Sequence, residues 1–185
     1  MAYVRLCDVN YIFANTIIDG NLDASFINKF IDGAQRKNIQ GIIGEYLYNK
    51  ITNDLFNNVL IDPYLSLVEN YIQICLAQYT VYNAFPFINW HLTNKGVSTK
   101  SSEFSQPAEM EAIVYLRQEI LSDAQFLAEQ IKHQIVNNPQ LYPEYYMSQG
   151  INPILPANDN YSSGMYFNNG SGNISTSMKN NGIGG

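Results

Sequence analysis

Residues 70–94 read NYIQICLAQYTVYNAFPFINWHLTN, an unbroken run without Asp, Glu, Lys or Arg. A membrane-spanning helix needs about 20 mainly apolar residues. This run carries Asn70, Gln73, Gln78, Thr80, Asn83 and Asn89 and contains Pro86. Amides at that density are costly in hydrocarbon, so no membrane span is expected. The run reads instead as the centre of a helical protein. Asp62-Pro63 marks its start, because Asp caps and Pro at the first helical position loses no hydrogen bond. The helix is expected to reach about Leu92, kinked near Tyr82 to Phe85 by Pro86. Its apolar residues occupy nearly every face: Leu65, Val68, Ile72 and Cys75, but also Leu67, Ile74, Leu76 and Val81. A helix apolar all round is central to a core or covered by partners. Three companions in a small bundle leave part of it bare, so neighbouring copies are expected to cover the rest.

Upstream, Phe26, Ile27, Phe30, Ile31 and Ala34 recur at helical spacing, with Asp23 or Ser25 as cap. A second helix is expected over 39–55, divided from the first at Arg36-Lys37. Gly41 and Gly44 fall in its opening turns, where small residues permit a close crossing. Residues 1–22 are short and mixed, a strand, a helical turn or an arm on a neighbour. Downstream, residues 93–106 (TNKGVSTKSSEFSQ from Thr93) form a polar loop longer than most helix–helix connections. A last helix is expected from about Ala108 to Val136, with Ile113, Val114, Leu116, Ile120, Ala124 and Ile131 at helical spacing. The two long helices, each roughly 45 Å at 1.5 Å per residue, are expected to form an antiparallel hairpin. The predicted class is therefore all-α: an elongated bundle of about four helices with a C-terminal arm.

That arm, 139–185, is rich in Pro, then Asn, Ser and Gly. Such a composition buries too little to offset its ordering entropy. It is studded with Tyr142, Tyr145, Tyr146, Tyr161, Met165, Tyr166 and Phe167, side chains suited to folding onto a partner. The expected units are thus an arm at 1–22, a helical domain at 23–138 and an arm at 139–185. Truncation after Asn138 is expected to spare the helical fold and weaken assembly.

The chain of 185 residues has 10 Lys and Arg against 16 Asp and Glu, 23 Asn, and a net charge of −6. So few cations make a poor duplex-DNA binder, since such binding rests on neutralising phosphates. Cys7 and Cys75 are too few for a disulfide framework or a Cys-based zinc site, and Cys75 is expected to be a buried thiol. The first residues lack an apolar signal segment, so folding is expected inside the cell. Glu129 and His133 share a helix face at i, i+4, whereas di-iron bundles repeat Glu-x-x-His. Gly41-Ile-Ile-Gly44 has the outline of a GxxG clamp, but with large apolar central residues. No nucleophile elbow, Walker loop or dinucleotide fingerprint occurs. No enzymatic activity and no cofactor are expected.

The stretch Phe26-Ile-Asn-Lys-Phe-Ile-Asp-Gly-Ala-Gln35, followed by Ile-Gln-Gly-Ile-Ile-Gly-Glu-Tyr-Leu-Tyr48, resembles the paired N-terminal helices of tailed-phage head–tail connector (adaptor) proteins. The long aromatic helix, the Asn94-Lys95-Gly96-Val97 loop and the last long helix continue the likeness over roughly residues 20–140. The Asn- and Tyr-rich composition is similar to that of crAss-like and related Bacteroidetes phages. The resemblance implies a structural virion protein at the head–tail junction, made in the host cytoplasm. Its copies would form a ring, commonly dodecameric, below the portal, extend the DNA channel and dock further neck or tail proteins. DNA would pass through without sequence-specific binding. On this reading Asn94, Lys95, Gly96, Val97 and Lys100 of the loop, with the tail aromatics, contact portal or neighbouring subunits. Arg36 and Lys37 would face the DNA channel or an acidic partner. The alternative expectation is a cytoplasmic helical protein-binding module with no viral role.

Overall fold

The computed structural model describes residues 4–18, 22–93, 96–99, 110–148 and 153–156. Asp23 accepts a hydrogen bond from the Ser25 N–H at 2.8 Å and starts α2 (Ala24–Ala34). Before it lies α1 (Val9–Asn15), capped by Asp8. The expected break at Arg36-Lys37 does not occur. The chain stays helical through a π turn, Gln35–Ile39, and α3 (Gln40–Ile43). It breaks at Gly44, whose φ of 76° and ψ of 164° lie where glycine alone is unstrained. Then comes α4 (Glu45–Phe56). The division falls at 44 because the apolar series carries through the π turn: Ile31, Ala34, Ile39, Ile42 and Ile43 are all buried. Outside its own helix backbone, no atom lies within 4 Å of where a Cβ on Gly41 would stand, so Gly41 marks no close crossing.

Asp62 accepts from the Ser66 N–H at 3.2 Å, and Pro63 precedes the first helical residue. The Asp62–Pro63 peptide is cis. Then α5 (Tyr64–Leu67), a second π turn, Val68–Ile72, and α6 (Gln73–Asn89) form one central rod with Pro86 inside it. The rod stops at Asn89, short of the expected Leu92. Beyond it the chain forms an antiparallel hairpin rather than polar loop alone: β1 (Trp90–Thr93) pairs with β2 (Gly96–Thr99), Trp90 opposite Thr99 and Thr93 opposite Gly96. Thr93, Val97 and Thr99 are β-branched, which suits a pleated backbone.

α7 (Met110–Asn137) runs back along the rod. The Cys75 thiol donates to Ala124 O at 3.7 Å, and the Arg117 guanidinium stacks 4.4 Å over the Tyr82 ring. Seven residues forward on one helix match seven back on the other, which is the antiparallel hairpin that the sequence predicts. The fold is all-α in class. The rod packs against both α2 and α7, which make at most marginal contact with each other.

Most of the rod is covered by its own chain, with Leu65, Ile74, Phe85 and Ile88 partly exposed. Leu67, Ile72, Cys75, Leu76, Val81 and Ala84 are buried. Phe87, at 40% exposed, is the rod's one exposed large apolar side chain among the described residues. The central helix therefore leaves much less apolar surface for sister copies to shelter than its sequence suggests. The missing cover comes from both ends of the chain. Leu6, Cys7, Ile12 and Ile18 are buried, so the described part of 1–22 belongs to the core rather than to a neighbour. At the other end, Tyr142 is buried at 2% exposed, so the packed body runs past 138.

Gln35 holds the N-terminal segment in place. Its Oε1 accepts from Leu6 N–H at 2.9 Å, and its Nε2 donates to Val4 O and Tyr48 Oη, each at 2.8 Å. Gln73 Nε2 adds a bond to Leu6 O at 3.0 Å, and Arg5 reaches Asp32 at 2.7 Å. Gln35 is wholly buried, so its loss strands polar groups away from water. Gln35→Leu is expected to cost about 2 kcal/mol. It should also raise the hydrogen-exchange rate of the Leu6 amide selectively. Unchanged protection at Leu6 would contradict this role.

Candidate functional site

The sequence-predicted contact residues do not gather in one place. Asn94, Lys95, Lys100, Tyr161, Met165, Tyr166 and Phe167 lie outside the described residues. Gly96 and Val97 belong to β2. Arg36 and Lys37 stand exposed on the first π turn.

The three remaining tyrosines form a clasp on the helical body. A 3-10 turn, Pro143–Tyr146, seats itself against α4. Tyr64 Oη donates to Glu144 Oε2 at 2.8 Å, and the Tyr64 and Tyr142 rings meet edge to face at 5.8 Å. Lys50 Nζ sits 5.3 Å from the centre of the Tyr64 ring and pairs with Asp54. Burial, then the hydrogen bond to Glu144, pushes the Tyr64 phenol up to about 12. Burial also raises Tyr142. Tyr142 is therefore a core residue and no partner contact, whereas Tyr145 is half-buried and Tyr146 is half exposed. Beyond the clasp, residues 153–156 strap the start of α4. Glu45 N–H donates to Ile154 O at 2.8 Å, and Glu45 Oε2 accepts from Ile154 N–H at 2.9 Å. The strap supplies, from across the sequence, the helix cap that Gly44 has no side chain to provide.

Reactive groups are dispersed. Cys75 is buried, and desolvation raises its thiol. Cys7 is pushed up to about 12, by burial first and by Asp8 next. Glu129 pairs with Lys132 at 3.0 Å, leaving His133 exposed on the same face. Among the described residues no three His, Cys, Asp or Glu side chains come together, and no helix is long and apolar enough to cross a membrane.

The surface that sequence reasoning missed lies on α7. Helical spacing puts Val114 and Leu116 in the core, but they are 52% and 45% exposed. Tyr115 and Phe126 project further, at 64% and 63% exposed. They are 11 residues apart, three helical turns, and so share one line on the outer face. That spacing is the available signal; the inward series Ile120, Ala124, Ala128 and Ile131 masks it. Exposed Glu111, Glu119 and Asp123 flank the two rings. An exposed apolar stripe with a charged border is the form of a protein-contact surface.

A family described as a family of unknown function (DUF6712) matches residues 39–153. The chain belongs to this family. The match spans α4, the rod, α7 and the Tyr142 clasp, and ends one residue before Ile154 of the strap. The family pattern therefore takes in the stretch just after 138 that composition assigns to an arm. No curated protein and no solved structure matches the chain.

Proposed function

We propose that the protein is a structural building block of a tailed-phage neck. In this reading, copies stand side by side in a ring below the portal, around the DNA channel, and present a surface to the next neck or tail component. The observation that carries it is the exposed aromatic face of α7 on a helical body laid out as the resemblance implies. That layout has short N-terminal helices beside a long antiparallel pair, with a strand pair following the first of the two. An acidic chain with few cations also suits a channel that must release DNA.

The test is the mass of the assembly. The full chain, alone and mixed with the portal ring of its phage, is measured by native mass spectrometry. The expected result is an added mass equal to one fixed number of 20.9 kDa copies per portal ring. A chain that adds no mass to the portal contradicts the reading. It would leave the alternative of a helical protein-binding module.

A further inference from the structure

The end of α4 and the turn that follows read LFNNVLI from Leu55 to Ile61, without a charge, yet Phe56, Val59 and Ile61 are each more than half exposed. Leu55 and Leu60 pack against the core and anchor the turn. Its backbone is tied at both ends. Val59 N–H donates to Asp54 O at 2.9 Å, Asn58 N–H to Leu55 O at 3.2 Å, and Leu65 N–H to Ile61 O at 3.0 Å. Asn58 takes a φ of 55°, a left-handed conformation that Asn visits more readily than most residues. The turn is therefore a fixed apolar knob, and a surface already in shape loses little freedom on docking. The acids around it are engaged within the chain: Asp54 pairs with Lys50, Asp62 accepts from Ser66, and Glu144 of the clasp accepts from Tyr64.

The outer face of α7 is the complement of this knob. Tyr115 and Phe126 protrude there, with Glu111, Glu119 and Asp123 exposed beside them. The cations of α7 are already used: Arg117 stacks on Tyr82, and Lys132 pairs with Glu129. Two such faces laid together would set carboxylate against carboxylate. The knob instead brings apolar side chains to the rings and the exposed amides of Asn57 and Asn58 to the acids. One Asn57 Nδ2–H bonds Asn53 O at 2.9 Å, and the other remains to donate. Hydrogen bonds to a charged acceptor are the stronger kind. Within one copy the two surfaces stand apart. Cys75 lies opposite Ala124 and Tyr82 opposite Arg117, so the knob, which precedes Tyr64, lies by the last turn of α7. The bond from Tyr142 Oη to Pro63 O places it there as well. Phe126 is about 12 Å or more away along the axis, and Tyr115 further still. A second copy can bring the surfaces together, and a contact between unlike faces is heterologous, the kind from which rings are built.

We infer that the 55–61 knob of one copy docks on the acidic, aromatic face of α7 in the next. This deepens the ring reading and rests on it. Phe56, Val59 and Ile61 pack on the line from Tyr115 to Phe126, and the two Asn amides donate to the flanking carboxylates.

A charge placed on the knob of the full chain tests the pairing. Val59→Glu and Val59→Lys are each made in the wild-type chain and again in a chain carrying Glu119→Lys with Asp123→Lys, all at exposed positions. Circular dichroism establishes that each variant is folded. Sedimentation velocity at low salt reads self-association, and retention of copies on portal rings reads assembly. Val59→Glu should associate about tenfold more weakly than wild type or worse, because it sets a carboxylate against carboxylates. Val59→Lys gives up as much apolar surface but should associate at least as well as wild type. In the chain with lysines on α7 the order should reverse, with Val59→Glu the stronger of the two. Val59→Glu and Val59→Lys that behave alike, or an order that the α7 lysines do not reverse, overturns the docking assignment and leaves the ring reading standing. A wild-type chain that stays monomeric, alone and with portal, overturns both.

Discussion

Truncation after Asn138 is expected to unfold the protein, whereas truncation after Pro156, which keeps the clasp and the strap, leaves it folded. The first cut removes Tyr142, which is 2% exposed and meets Tyr64 edge to face. Removing a fully buried aromatic side chain costs about 3–5 kcal/mol. The same cut deletes Glu144, leaving the Tyr64 hydroxyl without its acceptor, and strips the Ile154 strap from the start of α4. Total stability of a domain is about 5–15 kcal/mol, so these losses together approach the whole. The cut at 156 touches neither clasp nor strap. This reverses what composition suggests, namely that the helical domain ends at 138. Circular dichroism and urea unfolding of the two truncated chains decide between the views. A cooperative transition in the shorter chain at the full-length midpoint would contradict the clasp.

Gly44→Ala is expected to lose about 2–4 kcal/mol, at a residue with no catalytic or core side chain to remove. The backbone at φ 76° and ψ 164° costs a residue with a Cβ about 1–3 kcal/mol. The new methyl would also stand 2.8 Å from Pro156 Cγ and Cδ, so the strap must shift and its two bonds to Glu45 weaken. The two contributions separate in a double-mutant cycle with Pro156→Ala. In that background the backbone strain remains but the ring collision is reduced, so the Gly44→Ala penalty should fall by about 1 kcal/mol. Equal penalties in both backgrounds would show that the strap does not sense residue 44.

The sequence discloses the helices where the period is regular and misleads where an end of the chain intervenes. The Asp23 cap, the start after Asp62-Pro63, the antiparallel long pair and the buried Cys75 come from spacing and capping chemistry alone. The π turns do not, because one extra residue per turn shifts the pattern without breaking it, and the basic pair then suggests a division between the early helices at 36–38 instead of 44. The rod is as rich in apolar residues as its sequence indicates, but most of it is covered by its own chain. Leu6, Ile12 and Tyr142 cover surface that a count of helices alone leaves bare. Tyr142 resembles tail because Pro139, Pro143 and polar neighbours surround it, and no local pattern reveals a partner 79 residues away at Pro63. The self-association argument accordingly moves from the rod to α7. There Tyr115 and Phe126 stand outside a core series that satisfies itself.

The ring reading is tested most directly by cryo-electron microscopy of the full chain assembled with its portal. The account predicts a closed layer of added density in which the exposed aromatic face of α7 in each copy is covered by a neighbouring molecule. A portal without that layer, or a layer whose copies touch through other faces while α7 points into solvent, would contradict it.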